Sequence, residues 1–260
     1  MLIVFDIGNT HITIGLFENK KLNCVSRIAT NSTLTGDQYA VEINNILSLR
    51  HFSSSDVTDA VISSVVPAVG LSVNNAVNSL FNITPLVIGA GIKTGLNLKV
   101  ENPAGLGGDL VAGAVAASEL YTLPAIIFDF GTATKISVIT KNKSFIGCAI
   151  MAGINISIDA LASRTAALSP ITLEMPKNII GVNSAEAMKS GLIYGNASMI
   201  DGMAERIEKE LGEKTTLLLT GGLAHLLKGH TKRDIIYSDN LLLEGLRIVF
   251  EKNRPEKSLL

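Results

Sequence analysis

Two short stretches of the sequence decide the fold: LIVFDIGNT at residues 2–10 and AIIFDFGTAT at residues 125–134. In each stretch an apolar, β-rich run ends in an aspartate, at Asp6 and at Asp129. A glycine-containing turn follows and the apolar pattern then resumes, which is typical of two strands joined by a tight hairpin. The copies lie about half the chain apart, and this spacing indicates an internal duplication.

The pattern around the two stretches predicts an α/β protein of two domains, residues 1–117 and 118–260. In the first half we predict strands at 2–5, 12–17, 22–28, 60–66 and 85–88, with helices at 38–49 and 69–80. A helix from residue 109 to about 120 follows the glycine-rich segment 105–108. In the second half we predict strands at 125–128, 136–139, 144–150 and 215–219, and helices at 156–167, 183–211, 223–227 and 241–250.

Composition limits the classes of function. The 260-residue chain is 47% hydrophobic and 17% charged, so it has the apolar content for large cores. Its net charge of −1 and lack of basic runs argue against a nucleic-acid partner. The two cysteines, Cys24 and Cys148, are expected to be reduced thiols. Without a signal-peptide pattern or a long apolar run, we expect no membrane association and a cytoplasmic location.

The repeated turns, each Asp-x-Gly followed by a threonine, have the chemistry of phosphate sites. Backbone N–H groups and a hydroxyl can face a phosphate, and the glycine permits close approach. The carboxylate at the strand end can hold a hydrated Mg²⁺ that bridges nucleotide phosphates. Gly-Asn and Gly-Thr turns also form hairpins that bind nothing. Two matched copies, each with an aspartate at the strand end, favour a clamp on a triphosphate.

Three further features have both a functional and a structural interpretation. Asp109, at a predicted helix start, is either a general base or a helix-capping carboxylate. Thr220-Gly221-Gly222, between a strand and a helix, either admits a nucleotide or makes a tight turn. His11, beside the first turn, either contacts a ligand or lies on the surface.

Six ordered motifs resemble those of the type III pantothenate kinases, and the resemblance runs through nearly the whole chain. DIGNT and DFGTAT are similar to the two phosphate motifs of that family, and TGG to its adenosine motif. NPAGLGGDL at 102–110 is similar to its substrate motif, GCAIMAG at 147–153 to its interface motif, and NSAEAMKSG at 183–191 to a further family segment.

The resemblance implies two ribonuclease-H-like domains with a nucleotide cleft between them, as in actin, hexokinase and acetate kinase. It implies a homodimer that phosphorylates pantothenate with ATP, Mg²⁺ and a monovalent cation, K⁺ or NH₄⁺. Asp109 would be the proton acceptor, Asp129 would bind the monovalent cation, and Asp6 would hold Mg²⁺ through water. The implied ATP contacts are Asp6, Ile7, Gly8, Asn9, Thr10, His11, Ile12, Thr13, Thr132, Gly221 and Gly222. The implied pantothenate contacts are Gly107, Gly108, Asp109, Leu110 and Ser184.

The sequence departs from the family pattern at four positions. Leu110 replaces the arginine of the substrate motif, and Val100 stands where a tyrosine often precedes it. Lys135 replaces the last threonine of the second phosphate motif, and Ala152 replaces the interface proline. Lys135 is a candidate to replace the missing arginine at the pantothenate carboxylate. A kinase of another small hydroxyl compound, or a nucleotide-binding regulator without turnover, therefore remains an alternative function.

Overall fold

A computed structural model describes residues 1–254, which form two compact units. Residues 1–96, 101–119 and 241–254 form the first unit, and residues 97–100 and 120–240 form the second. Each unit contains one β-sheet. Within the described part of the chain, every helix is too short or too polar to serve as a membrane span.

The first unit is built on a five-stranded sheet with the order β3-β2-β1-β4-β5. Its strands are β1 (Leu2–Ile7), β2 (His11–Glu18), β3 (Lys21–Ala29), β4 (Asp59–Ser64) and β5 (Leu86–Val87). β2 runs antiparallel to both of its neighbours, whereas β1, β4 and β5 run parallel to one another.

Helices cover both faces of this sheet. They are α1 (Gly36–Leu49), α2 (Pro67–Phe81), α3 (Gly108–Leu120) and α6 (Leu241–Asn253). Ile3, Phe5 and Ile7 pack in one core with α1 and α2, while Val4 packs in another with α3 and α6. This division follows from the period-2 alternation of side chains along a strand. It places Asp6 on the same sheet face as Val4, the face that α3 and α6 cover.

The second unit repeats this topology. Its sheet has the order β11-β10-β7-β8-β9-β6. The strands are β6 (Asn97–Leu98), β7 (Ala125–Phe130), β8 (Ala133–Ile139), β9 (Ser144–Ala152), β10 (Thr216–Thr220) and β11 (Ile236–Tyr237). The run β9-β8-β7-β10-β11 has the order and strand directions of β3-β2-β1-β4-β5. The predicted duplication of an α/β, ribonuclease-H-like domain is therefore confirmed.

The helices of the second unit are α4 (Ile154–Arg164) and α5 (Ser184–Leu211). The helix predicted at 223–227 is wrong, because only a three-residue 3-10 helix forms there, at Ala224–Leu226. Gly221, Gly222 and Gly229 lie close to this segment and disfavour a longer helix. The two-residue strands β6 and β11 were also missed, because they are too short to show alternation. β5 is equally short but lies within the predicted apolar run 85–88.

The structure places α6 in the first unit, although the predicted boundary assigned residues 241–260 to the second domain. Leu243 and Leu246 of α6 pack with Val4 and Val61 of the first sheet, and this burial determines where the helix lies. Residues 97–100 were predicted in the first domain but belong to the second unit, because β6 pairs with β9. Residues 255–260, the end of the predicted second domain, lie outside the described part of the chain.

Gly245 allows α6 to pack against α3 at backbone distance. A Cβ atom at this position would lie only 1.9 Å from the carbonyl oxygen of Ala112. Both helices must therefore separate if a side chain is added. In contrast, a Cβ atom at Gly195 of α5 would meet no atom within 4 Å.

We expect Gly245→Ala to lower the free energy of unfolding by about 1–3 kcal/mol, the usual cost of overpacking a core. Gly195→Ala is the matched control, and it should raise stability by roughly 0.5–1 kcal/mol because alanine favours helix. Chemical denaturation of both variants measures the two changes. An unchanged midpoint for Gly245→Ala would contradict the close approach of α3 and α6.

Candidate active site

In the first unit, the acidic end of β1 lies beside a hydroxyl at the end of β4. Asp6 and Ser63 are register partners across the parallel β1–β4 pair, so their side chains project from the same sheet face. Ser63 is fully buried, and its Oγ has no hydrogen-bond partner among residues 1–254. Ser63 was not among the site residues predicted from the sequence, although a hydroxyl at the end of a strand parallel to β1 is a signal that could have identified it.

The start of α3 lies against the Ser63 side chain. A Cβ atom on Gly108 would be 2.6 Å from Ser63 Oγ, so the first residue of the helix contacts the Ser63 side chain. Asp109 is the next residue, and its Oδ1 accepts a hydrogen bond of 2.8 Å from the backbone N–H of Leu110. The fold thus brings Asp6, Ser63 and the Gly108-Asp109 start of α3 to one end of one sheet face.

Asp109 is not the N-cap residue of α3, although its carboxylate accepts from the free Leu110 N–H of the first turn, as a capping group does. The carbonyl of Gly107 accepts the first helical hydrogen bond, from Val111, so Gly107 occupies the cap position. Asp109 is the second residue of α3 and lies in its first turn, where the helix dipole stabilises a negative charge. The proton-acceptor role of Asp109 stays a prediction.

The first phosphate turn is a closed hairpin tied to β3. The Gly8 N–H donates to the His11 carbonyl at 3.0 Å, and the Thr30 hydroxyl donates to the Gly8 carbonyl at 2.7 Å. Asn9, Thr10 and His11 are exposed at the tip. The Ile7 and Ile12 side chains are fully buried, so these residues can meet a ligand only through their backbone, whereas Asp6, Gly8 and Thr13 are partly exposed.

The second phosphate turn lies at the equivalent place in the second unit and is one residue shorter. Gly131 and Thr132 are exposed at its tip, while Thr134 is turned into the core and fully buried. Gly153 supports this turn from below, because a Cβ atom there would lie 2.1 Å from the Thr132 carbonyl oxygen. Only glycine fits at that distance, and Gly153 is the last residue of the segment GCAIMAG.

The segment Thr220-Gly221-Gly222 lies against the second turn. Thr220 is the register partner of Asp129 across the parallel β7–β10 pair, as Ser63 is of Asp6. Gly221 has a φ of +101° and packs on Phe130, where a Cβ atom would lie 2.5 Å from backbone. Both the left-handed backbone and the close approach require glycine. The structure therefore joins two motifs that lie far apart in the sequence.

Asp129 forms an ion pair within the same sheet. Lys135 is its register partner across β7 and β8, and the distance between Lys135 Nζ and Asp129 Oδ2 is 2.8 Å. Both side chains are largely buried, with 16% and 13% of their surface exposed. The predicted cation ligand is thus already bound to a positively charged group of the chain.

Ser184 lies exposed in the first turn of α5, where Asn183 caps the helix by accepting from the Glu186 N–H at 2.9 Å. A hydrogen bond from the Lys177 backbone and another from Lys189 lower the pKa of Glu186. These contacts fix the chain that precedes α5. They leave the substrate role of Ser184 as a prediction.

The carboxylates suit Mg²⁺ held through nucleotide phosphates. Residues 1–254 contain no group of three histidine, cysteine or acidic side chains placed to hold a metal ion. Mg²⁺ commonly binds through one or two carboxylates together with water and phosphate oxygens. Asp6, at a strand end beside the phosphate turn, fits that mode.

Two ribonuclease-H-like sheets, each with an aspartate and a glycine turn at one strand end, define the fold of the actin and hexokinase class. Residues 2–206 match the model of the type III pantothenate kinase family. The type III pantothenate kinase of Halalkalibacterium halodurans is 38% identical over 253 residues, covering 97% of this chain and 100% of the relative. The chain belongs to the type III pantothenate kinase family.

Solved structures share the fold at low sequence identity. A protein from Campylobacter jejuni, provisionally described as a Baf family transcriptional activator, matches with a TM-score of 0.60 and 16% identity, over 96% of this chain and 98% of that one. A protein from Sinorhizobium meliloti, provisionally described as a 2-dehydro-3-deoxygalactonokinase, matches with a TM-score of 0.58 and 12% identity, over 100% and 99%.

Proposed function

We propose that this protein transfers the γ-phosphoryl group of ATP to the primary hydroxyl of pantothenate, the first step of coenzyme A biosynthesis. One observation in the structure carries the proposal: Asp6 and the Gly108-Asp109 helix start lie on one face of one sheet, joined through Ser63. A phosphate-side carboxylate and a candidate base are therefore close to each other, as phosphoryl transfer requires. Membership of the family supports pantothenate as the acceptor.

The reaction needs one proton acceptor and stabilisation of phosphate charge. Asp109 accepts the proton of the pantothenate hydroxyl while the hydroxyl oxygen forms a bond to the γ-phosphorus. The bond from that phosphorus to the β–γ bridging oxygen breaks, which gives 4'-phosphopantothenate and ADP. The N-terminus of α3 carries a partial positive charge that favours anionic groups beside it. When bound, Mg²⁺ neutralises charge on the β and γ phosphates.

Asp6 is the proposed holder of Mg²⁺, through water, and the first turn and Thr132, Gly221 and Gly222 are the proposed ATP contacts. A monovalent cation at Asp129 is not part of this proposal, because the Lys135 ammonium group already lies on that carboxylate. For the same reason Lys135 is not available to replace the family arginine at the pantothenate carboxylate.

A homodimer is the proposed assembly. Of sixteen exposed large apolar side chains in the described residues, nine lie between residues 146 and 182, in β9, α4 and the chain before α5. They are Ile146, Ile150, Met151, Ile156, Leu161, Met175, Ile179, Ile180 and Val182. Such a concentration of apolar surface favours an interface between chains. A cytoplasmic location stays a prediction from the sequence.

The proton-acceptor role predicts that Asp109→Asn retains ATP binding and loses roughly 10²- to 10⁴-fold in turnover, since an amide does not accept the proton. Asp37→Asn is a matched control, because Gly36-Asp37 opens α1 as Gly108-Asp109 opens α3. ADP release with and without pantothenate, together with calorimetric ATP titration, gives both quantities. Near-normal turnover in folded Asp109→Asn would contradict the assignment.

The missing arginine predicts weak pantothenate binding. Pantothenate carries a carboxylate, and a charge-assisted hydrogen bond to it contributes about 1.5–3 kcal/mol, or roughly 10- to 100-fold in affinity. Leu110→Arg should therefore lower the KM for pantothenate by about that factor, while Leu120→Arg at the other end of α3 should not. Pantothenate titration with detection of 4'-phosphopantothenate tests this expectation.

The outcomes of that titration also separate the alternative functions. If the unaltered protein already has a low KM for pantothenate and Leu110→Arg does not lower it, another group holds the carboxylate. Turnover with a different hydroxyl compound, but none with pantothenate, would favour a kinase of another substrate. Nucleotide binding without any turnover would favour a regulator.

The apolar surface predicts a dimer of the 27.5 kDa chain by light scattering at micromolar concentration. Ile156→Lys places a charge on this surface and should shift the mass toward that of a single chain. Leu71→Lys, at an exposed apolar position of α2, should leave the dimer intact. A single-chain mass for the unaltered protein would refute the proposed assembly.

A further inference from the structure

The ion pair between Asp129 and Lys135 lies at the base of the second phosphate turn. Asp129 is the second-to-last residue of β7, and Lys135 is its antiparallel partner on β8. The turn Gly131-Thr132 joins the two strands and has an exposed tip. A positive charge on Lys135 is therefore fixed a few residues from the backbone that is proposed to meet nucleotide phosphates.

The sheet determines where the lysine points. Opposed residues of an antiparallel pair project from the same face, and Lys135 lies between Asp129 on β7 and Ile150 on β9. An apolar neighbour on one side and a carboxylate on the other direct the ammonium group to Asp129. With 16% of its surface exposed, the lysine has little access to solvent as an alternative partner.

The internal repeat provides a comparison for this position. In the first unit, the partner of Asp6 across β1 and β2 is Thr13, a neutral residue. The family pattern likewise has a threonine where this chain has Lys135. The two repeats therefore differ at this register position, which holds Thr13 in the first unit and Lys135 in the second.

The residues around Asp129 do not fit a bound K⁺ ion. A monovalent metal ion needs oxygen ligands that replace its water shell. The Lys135 Nζ occupies the Asp129 carboxylate at 2.8 Å, and a second positive charge beside it would be repelled in this largely buried setting. The ammonium group of a lysine has the charge of NH₄⁺ and also donates hydrogen bonds.

We propose that Lys135 is a built-in monovalent cation, which takes the place of K⁺ or NH₄⁺ at Asp129 and makes nucleotide binding by this protein independent of those ions. The inference rests on the proposed function, because it assigns a role within the same nucleotide site. It reverses the cation requirement that the family resemblance implies. In this arrangement Asp129 is a positioning residue that holds the ammonium group beside the phosphate turn.

The test compares nucleotide binding and thermal unfolding in chlorides of K⁺, NH₄⁺, Na⁺ and tetramethylammonium at equal ionic strength. The unaltered protein should bind Mg²⁺-ATP with the same Kd, within about twofold, in all four salts. Lys135→Thr restores the residue of the family pattern and leaves Asp129 without its lysine. This variant should bind at least about 10-fold more tightly in K⁺ or NH₄⁺ than in tetramethylammonium.

Lys141→Thr is the matched control, because the exposed Lys141 lies just beyond the opposite end of β8 and pairs with Glu213. It should behave as the unaltered protein does in every salt. Without nucleotide, the melting temperature of Lys135→Thr should be higher in K⁺ than in tetramethylammonium, since an ion that binds only the folded state stabilises it. The unaltered protein should show no such difference.

Each outcome decides the inference. A 10-fold preference of the unaltered protein for K⁺ would overturn it, and this arm needs no variant to fold. Salt-independent binding and melting by folded Lys135→Thr would overturn it as well; Lys135→Gln gives the same comparison if the threonine variant does not fold. Phosphorylation of pantothenate is measured separately. Salt-independent ATP binding without that activity would contradict the proposed function and leave the role of Lys135 standing.

Discussion

In each unit, the first strand of the hairpin pairs in parallel with a later strand, and the arrangement of residues at both strand ends depends on this pairing. In the first unit it places Ser63 beside Asp6, and in the second it places Thr220 beside Asp129. The two pairs join residues far apart in the sequence, and the register fixes them laterally on one sheet face. A slip of one residue would turn either hydroxyl to the opposite face, away from the aspartate.

Close backbone packing makes this arrangement specific. Gly221 on Phe130 and Gly153 on Thr132 hold the second turn from two sides, and neither position has room for a Cβ atom. In the first unit, Gly108 lets the start of α3 lie against the Ser63 hydroxyl. These glycines are the points where a helix start or a turn reaches the strand ends, so the sequence motifs are in large part packing requirements of the fold.

The charges at the two strand ends are handled differently. Asp129 is neutralised inside its own sheet by Lys135, whereas the corresponding partner of Asp6 is Thr13. A carboxylate beside a phosphate turn can hold a hydrated divalent cation, whereas one that is ion-paired with a lysine holds a fixed positive group there. The two copies of the duplicated framework therefore differ in charge at a single register position.

The sequence alone determined the duplication, the order of the main strands and helices, and the family, because apolar alternation and the Asp-x-Gly turns are local patterns. Only the tertiary structure decided that α6 packs in the first unit, that Ser63 lies between Asp6 and α3, and that Lys135 is bound to Asp129. The sequence shows that Lys135 departs from the family motif, but it does not show that Asp129 is the partner of this lysine. Strand register and helix packing bring distant residues together, and local sequence patterns do not encode which distant residue each one meets.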